Sequence, residues 1–279
     1  MVKIGINTSC LQKHNRPGIR DILAFAFDNS FQVVEFRDEY PFAEDLTGED
    51  IQWAREQMEE RGIWCSVHLP FYDLDLSAFR HDLRIAAVHS VIKSVEAAAE
   101  LGARTVTVHG GSMKRNYYSA EWEKTTEELS LDSLVRINRE CKERGIKLLI
   151  ENLNLFSDRV HRVHALPAKL VETKAELGVN IGFTLDIAHA VSTPLNPVEY
   201  ALALGPENIK LAHLNDNNLK ADQHLGLGMG RIDYRSFMKA YLEEKWDFPL
   251  LFETKTVEYA LTSKAYLEKL IKEIEIQKI

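Results

Sequence analysis

The sequence predicts an α/β protein, a closed (β/α)8 TIM barrel formed as a single domain over residues 1–279. Three observations predict it. Short β-branched runs alternate with longer segments of helical period, the pattern of βα units around a parallel sheet. Eight such units fit within 279 residues, whereas a doubly wound open sheet normally has fewer strands and a phosphate-binding loop after the first. Several helical segments stop at a glycine just before the next strand, at Gly62, Gly102, Gly145 and Gly178, where a left-handed C-cap is required.

In chain order the strands are "KIGIN" (3–7), "QVVEF" (32–36), "IWCSVHL" (63–69), "RTVTVH" (104–109), "KLLIEN" (147–152), "VNIGFTLD" (179–186), "IKLAHL" (209–214) and "PLLFET" (249–254). Helices fill the gaps. "DLRIAAVHSVIKSVEAAAELGA" repeats its apolar residues at three and four, and "SLDSLVRINRECKERG" does the same up to Gly145.

The totals narrow the function. A chain 45% hydrophobic and 27% charged is of ordinary globular composition. No apolar stretch approaches the roughly 18 residues of a spanning helix, and "MVKIGINTSC" lacks the form of a signal peptide, so a soluble protein without membrane partners is expected. Cys10, Cys65 and Cys141 are odd in number, far apart and without a CxxC pair; neither a disulfide framework nor a thiolate zinc site is expected, and a cytoplasmic location fits. A formal net charge of -8 provides no global basic field for nucleic acid, although a local patch could still serve.

Polar residues gather where the strands end. Glu35 ends the second strand, His68 the third, His109 the fourth, Glu151 the fifth, Asp186 with His189 the sixth, His213 the seventh and Glu253 the eighth; the following loop adds Asp222 and His224. In a barrel these ends converge on one mouth. A lone strand-end histidine is usually a hydrogen-bonded rim residue, but this set has no counterpart at the strand starts. Imidazole and carboxylate without thiolate suit Zn, Mn, Co or Fe. Five histidines and four acids, the set without Glu35, make nine donors and exceed the coordination of one ion, so one to three ions are expected, with any remaining groups on substrate.

Asp186 and His189 can both reach the mouth if the strand turns into a helix at Asp186. His81 and His89 lie on a predicted helix and His14, His161 and His164 in loops; none is assigned a metal role. "GLGMG" (226–230) lacks the spacing of a dinucleotide fingerprint and reads as backbone approaching the mouth.

The segments "VHGGS", "IENLN", "LDIAH", "AHLNDN", "DQHLGLGMGRID" and "FET" together resemble the xylose isomerase-like TIM barrel superfamily, which includes sugar phosphate isomerases and epimerases and endonuclease IV. The resemblance covers essentially the whole chain. It implies nine positions like those that hold three zinc ions in endonuclease IV: His68, His109, Glu151, Asp186, His189, His213, Asp222, His224 and Glu253. In the sugar enzymes it implies one divalent ion at Glu151, Asp186, His213 and Glu253, with His189 beside it.

Two functions follow from the resemblance. As an isomerase or epimerase of a sugar or sugar phosphate, the chain would use Glu151 and Glu253 as catalytic proton-transfer groups passing through an enediolate, with Glu35, His68 and His189 orienting hydroxyls. As a zinc phosphodiesterase acting on abasic-site DNA, it would need His68, His109, Asp222 and His224 to complete the cluster. Glu35, the acidic "VVEFRDEYPFAED" segment and the net charge favour the sugar class; the complete donor set favours the other. Lys114, Arg115, Tyr117 and Tyr118, with Arg159 and Arg162, could hold either a nucleic-acid strand or a sugar phosphate. A non-catalytic metal- or sugar-binding barrel is a third reading, and homo-oligomers are compatible with all three.

Overall fold

The computed structural model describes residues 2–12, 17–39, 46–114 and 119–277. Arg115, Tyr117, Tyr118 and His14, and the acids Glu44 and Asp45, lie outside the described residues.

The eight expected strands form one closed parallel barrel. They are β1 (Ile4–Asn7), β2 (Val33–Arg37), β3 (Trp64–His68), β4 (Thr105–Val108), β5 (Lys147–Glu151), β6 (Ile181–Asp186), β7 (Ile209–Leu214) and β8 (Leu250–Phe252). Each pairs with the next, and β8 closes on β1. Helices connect them, among them Gly48–Glu60, His81–Glu100, Ala120–Glu143 and Pro167–Leu177. Gly62, Gly102, Gly145 and Gly178 all take positive φ, as their places before strands require. Among the described residues no helix is long and apolar enough to cross a membrane.

Side chains alternate along a strand, and the alternation explains the site. Val34, Phe36, Cys65, Val67, Val106, Val108, Leu148, Ile150, Phe183 and Leu185 belong to the main apolar core shared with the helices. The intervening residues point inward. At the bottom of the barrel the inward set is apolar, a separate cluster of Val33, Leu149, Leu211 and Leu251 with Trp64 against it. Gly5 completes this layer because a Cβ there would lie 2.5 Å from the Val33 carbonyl oxygen. One layer up, the inward residues are Asn7, Glu35, Ser66, Thr107 and Thr184, all fully buried. The next inward positions carry Arg37, His68, Glu151, Asp186 and Glu253.

The second strand differs from expectation. It runs to Arg37 rather than ending at Phe36, pairing Phe36 with Val67 and Arg37 with His68. Glu35 therefore lies inside the barrel instead of at the strand end. Segments 112–114 and 160–162, expected to be loops, instead pair as an antiparallel two-stranded ribbon, Ser112–Lys114 with Val160–Arg162, above the barrel. His161 thus sits in a strand.

Candidate metal centre

Two compact donor groups occupy the mouth among the described residues. One is His68, His109 and Glu151; the other is Glu151, Asp186, His213 and Glu253; in each, the donor atoms lie within 4.8 Å of one another. Glu151 belongs to both. His189, Asp222 and His224 form a chain instead: His189 Nε2 is 3.1 Å from Asp222, and His224 Nε2 is 3.4 Å from the other Asp222 oxygen.

Local structure explains the Asp186 and His189 spacing. The strand ends at Asp186, a short helical turn follows over Ile187–Ala190, and Asp186 caps it by accepting the His189 N–H at 2.6 Å. That turn places the His189 ring over the mouth, with Nδ1 3.6 Å from Glu151. His224 is held in a left-handed conformation, φ 48°, by backbone bonds on either side of it: Leu225 bridges to Asp216, and Lys255 N–H donates to the His224 carbonyl at 2.8 Å.

Four rings share a further property. In each, one nitrogen faces an oxygen that accepts hydrogen bonds: His68 Nδ1 the Leu69 carbonyl (3.0 Å), His189 Nδ1 the Asn152 carbonyl (2.7 Å), His224 Nδ1 the Glu253 carbonyl (2.8 Å), and His213 Nε2 the Glu35 carboxylate (2.6 Å). A carbonyl oxygen only accepts, so that nitrogen carries the proton and the other presents its lone pair. The second nitrogen then faces carboxylates: His68 to Glu151 at 3.1 Å, His213 to Glu151 and Glu253 at 3.3 Å each. A lone pair opposite a carboxylate requires a cation between them, either a proton or a metal.

Electrostatics point the same way. Burial lowers the basicity of these rings, but the carboxylates outweigh it: His189 rises to about 10 through Asp186 and Asp222, His224 to about 9 chiefly through Asp222, and His213 well above its usual value. His109 is the exception, pulled down to about 4 by burial despite Glu151. Asp186 is pushed up to about 6 by burial, with Glu151 and Glu253 adding repulsion that His189 only partly offsets. Three buried carboxylates crowded around one imidazole fit a divalent cation taking oxygen and nitrogen donors.

Below this layer, Glu35 is fully buried and saturated. It accepts from Asn7 at 2.8 Å, Thr107 at 2.8 Å and Ser66 at 3.2 Å, besides His213. Burial opposes its charge, but His213 overrides this and holds its pKa down to about 2. Expected to orient substrate hydroxyls, Glu35 does not line the cavity; its carboxylate faces His213 from below. Arg37, two residues on and of the same parity, lines it.

A cavity of about 250 Å³ opens above the donors, lined by Glu151, His109, His189, Asp222, His224 and Glu253, and by Arg37, Phe71, Tyr72, Asn154, Arg162, Ser9 and Thr254. His68 lies just under it, buried by Phe71 and His109. Lys114 is exposed and does not line it. Arg37 pairs with Glu253 at 3.4 Å and Glu39 at 3.6 Å. Phe71 stacks on His109 with ring centroids 3.9 Å apart.

Arg37 and Phe71 line the cavity without having been marked by the sequence, whereas Arg162, one of the basic residues expected to hold a strand or a sugar phosphate, does line it. The alternation that turns Glu35 inward also turns Arg37 inward and could have identified it; the ribbon that positions Arg162 left no periodic signal. Gly228 and Gly230 approach not the mouth but buried Asp216, which accepts from the N–H groups of Asn217, Gly228, Gly230 and Ile232 at 2.9–3.1 Å. A Cβ on Gly230 would lie 2.3 Å from Asp216.

Residues 23–275 match the family described as "Xylose isomerase-like TIM barrel". Among curated relatives, the uncharacterized protein MJ1311 of Methanocaldococcus jannaschii is 28% identical over 230 residues, 80% of this chain and 75% of that one. A probable endonuclease 4 of Mycobacterium ulcerans is 27% identical over 209 residues, 71% of this chain and 75% of that protein. Among solved structures, a D-tagatose 3-epimerase-like protein superposes with a TM-score of 0.85 over 100% of both chains at 23% identity, a likeness of fold.

Proposed function

The chain belongs to the xylose isomerase-like TIM barrel family, and on that premise we propose that it is a divalent-metal-dependent isomerase or epimerase of a sugar or sugar phosphate. The observation that carries the reading is the buried group of Glu151, Asp186, His213 and Glu253 under a cavity of about 250 Å³. That volume is below the roughly 300–1,000 Å³ of pockets for drug-sized ligands and suits a smaller molecule. The epimerase-like fold neighbour agrees with it.

These four residues would hold the ion. Bound there, a divalent cation supplies Lewis acidity to a carbonyl and the hydroxyl beside it, which makes the intervening C–H acidic. Glu151 and Glu253 both border the cavity, so one carboxylate can take the proton from carbon and the other can return one, the two-base arrangement an epimerisation requires. Arg37 fixes Glu253 from the side, and Asp186 holds the turn that carries His189. Phe71 and Tyr72 cover one wall and restrict water.

The three-donor group of His68, His109 and Glu151 favours a second reading, a zinc phosphodiesterase related to the endonuclease 4 proteins. Elemental analysis of protein purified without chelator or added metal separates the two. One manganese, cobalt or iron ion per chain, with metal-dependent exchange of carbon-bound hydrogen of a ketose in D2O, supports the isomerase. Two or three zinc ions with cleavage of abasic-site DNA would replace it with the phosphodiesterase; a chain that binds metal and does neither would be a non-catalytic barrel.

A further inference from the structure

The two arginines of the cavity are in different electrostatic states. Arg37 is neutralised by Glu253 and Glu39 and lies against the rings of Phe71 and Tyr72. Arg162 lines the same cavity and is half-buried, yet its guanidinium makes neither an ion pair nor a hydrogen bond with any described residue. Burial pulls its pKa down, and the attraction of Asp222 does not make up the difference. A guanidinium kept partly out of water without a partner is poised for an incoming anion.

The ribbon aims it there. Arg162 stands opposite Ser112 and Lys114 opposite Val160, so Arg162 and Lys114 share one face while Met113 and His161 take the other. The second face is clamped: Met113 is buried, and His161 pairs with Glu123 of helix Ala120–Glu143 at 2.7 Å. The first face, with its two cations, borders the cavity at Arg162 and solvent at Lys114.

We propose that the substrate carries an anionic group, a phosphate or a carboxylate, and that Arg162 binds it, with Lys114 adding attraction from the same ribbon face. This rests on the metal-dependent sugar-enzyme reading, and it selects the charged members of that substrate class. A cavity ringed by Glu151, Asp222 and Glu253 repels anions in general, so an anionic substrate needs a dedicated cation; a neutral sugar would leave Arg162 unpaired.

The test is calorimetric titration of the metal-loaded full chain with D-fructose, D-fructose 6-phosphate, D-glucuronate and inorganic phosphate. The Arg162→Gln and Arg162→Lys variants are titrated in parallel, with metal content measured on each. The proposal expects at least one anionic probe to bind tenfold or more tightly than D-fructose. It expects Arg162→Gln to remove that preference, Arg162→Lys to keep part of it, and neither variant to change metal content. Preference for D-fructose 6-phosphate and inorganic phosphate identifies a phosphate site; preference for D-glucuronate identifies a carboxylate site. No anionic preference, or one that survives Arg162→Gln, overturns the proposal. If the protein holds no metal but Arg162 still confers the preference, the anion site stands and the metal-enzyme reading falls.

Discussion

Glu35→Gln removes one charge from a fully buried carboxylate while keeping its shape, and so tests how the protein prepares His213 for a metal. Glu35 binds the proton on His213 Nε2 at 2.6 Å, which leaves Nδ1 facing Glu151 and Glu253 at 3.3 Å. In the variant the amide oxygen can still accept from His213 and Asn7, and the amide N–H groups can donate to the hydroxyls of Thr107 and Ser66. No buried group loses every partner, so stability should change by only about 1 kcal/mol. The ring keeps its orientation but loses the charge that makes Nδ1 a strong donor. Partners of this kind typically contribute about 10–100-fold to metal affinity, which is about 1.4–2.8 kcal/mol. Competitive titration against a chromophoric chelator measures it. Glu35→Leu should weaken binding further, since His213 Nε2–H and the Asn7 amide would then be stranded. A Glu35→Gln affinity within twofold of the parent, or equal losses in both variants, would refute this account of Glu35.

Other consequences can be measured separately. Glu253→Gln should lower the rate of carbon–hydrogen exchange in D2O by about 10²–10⁴-fold, the usual contribution of a proton-transfer group; exchange at the parent rate would remove Glu253 from the reaction. Asp216→Ala strands four N–H groups, those of Asn217 and Ile232 in buried residues, and should cost about 2–4 kcal/mol in urea unfolding, with faster amide exchange at Gly228, Gly230 and Ile232. A loss under 1 kcal/mol would show that the loop does not depend on that carboxylate. His164 is buried, and burial, assisted by Lys169, lowers its pKa to about 3. Its folded pKa lies below the unfolded one of about 6.5, so its contribution to stability is complete above pH 6.5 and declines as pH falls towards 3. Between pH 7.5 and 5 the parent should therefore lose about 2 kcal/mol relative to His164→Gln; parallel pH profiles for the two proteins would contradict the burial argument.

The barrel was legible because its strands write a repeated pattern, and the clustering of carboxylates and imidazoles at the mouth was legible because such groups at the ends of apolar runs are costly without a purpose. Asp186 and His189 show the reach of that reasoning: the strand-to-helix turn is where their spacing requires it. Glu35 shows its limit. Its residue type marked it as unusual, but whether it faced substrate or supported a ligand depended on one residue of strand length, and strand ends are the least sharply encoded part of a sequence. The place of Arg162, named only as one of several basic residues, and the role of Asp216 were harder still. Their roles come from contacts across the fold, a three-residue ribbon in one case and a glycine-rich loop wrapped around a carboxylate in the other, and neither has a period.

The ribbon over the mouth is fastened differently from the barrel beneath it. Each residue of the two candidate donor groups grows from, or directly follows, a strand locked between two neighbours, so changing one disturbs the whole sheet. The ribbon joins two excursions, one after β4 and one after β5, and among the described residues its two strands pair only with each other. Its outward face can therefore be rewritten without touching the floor. On the proposed function, a lineage could exchange one substrate for another by altering residues such as Ser112, Lys114, Val160 and Arg162 while the donor groups on the barrel strands are inherited intact. For engineering, those positions form a small library with the reactive centre held constant.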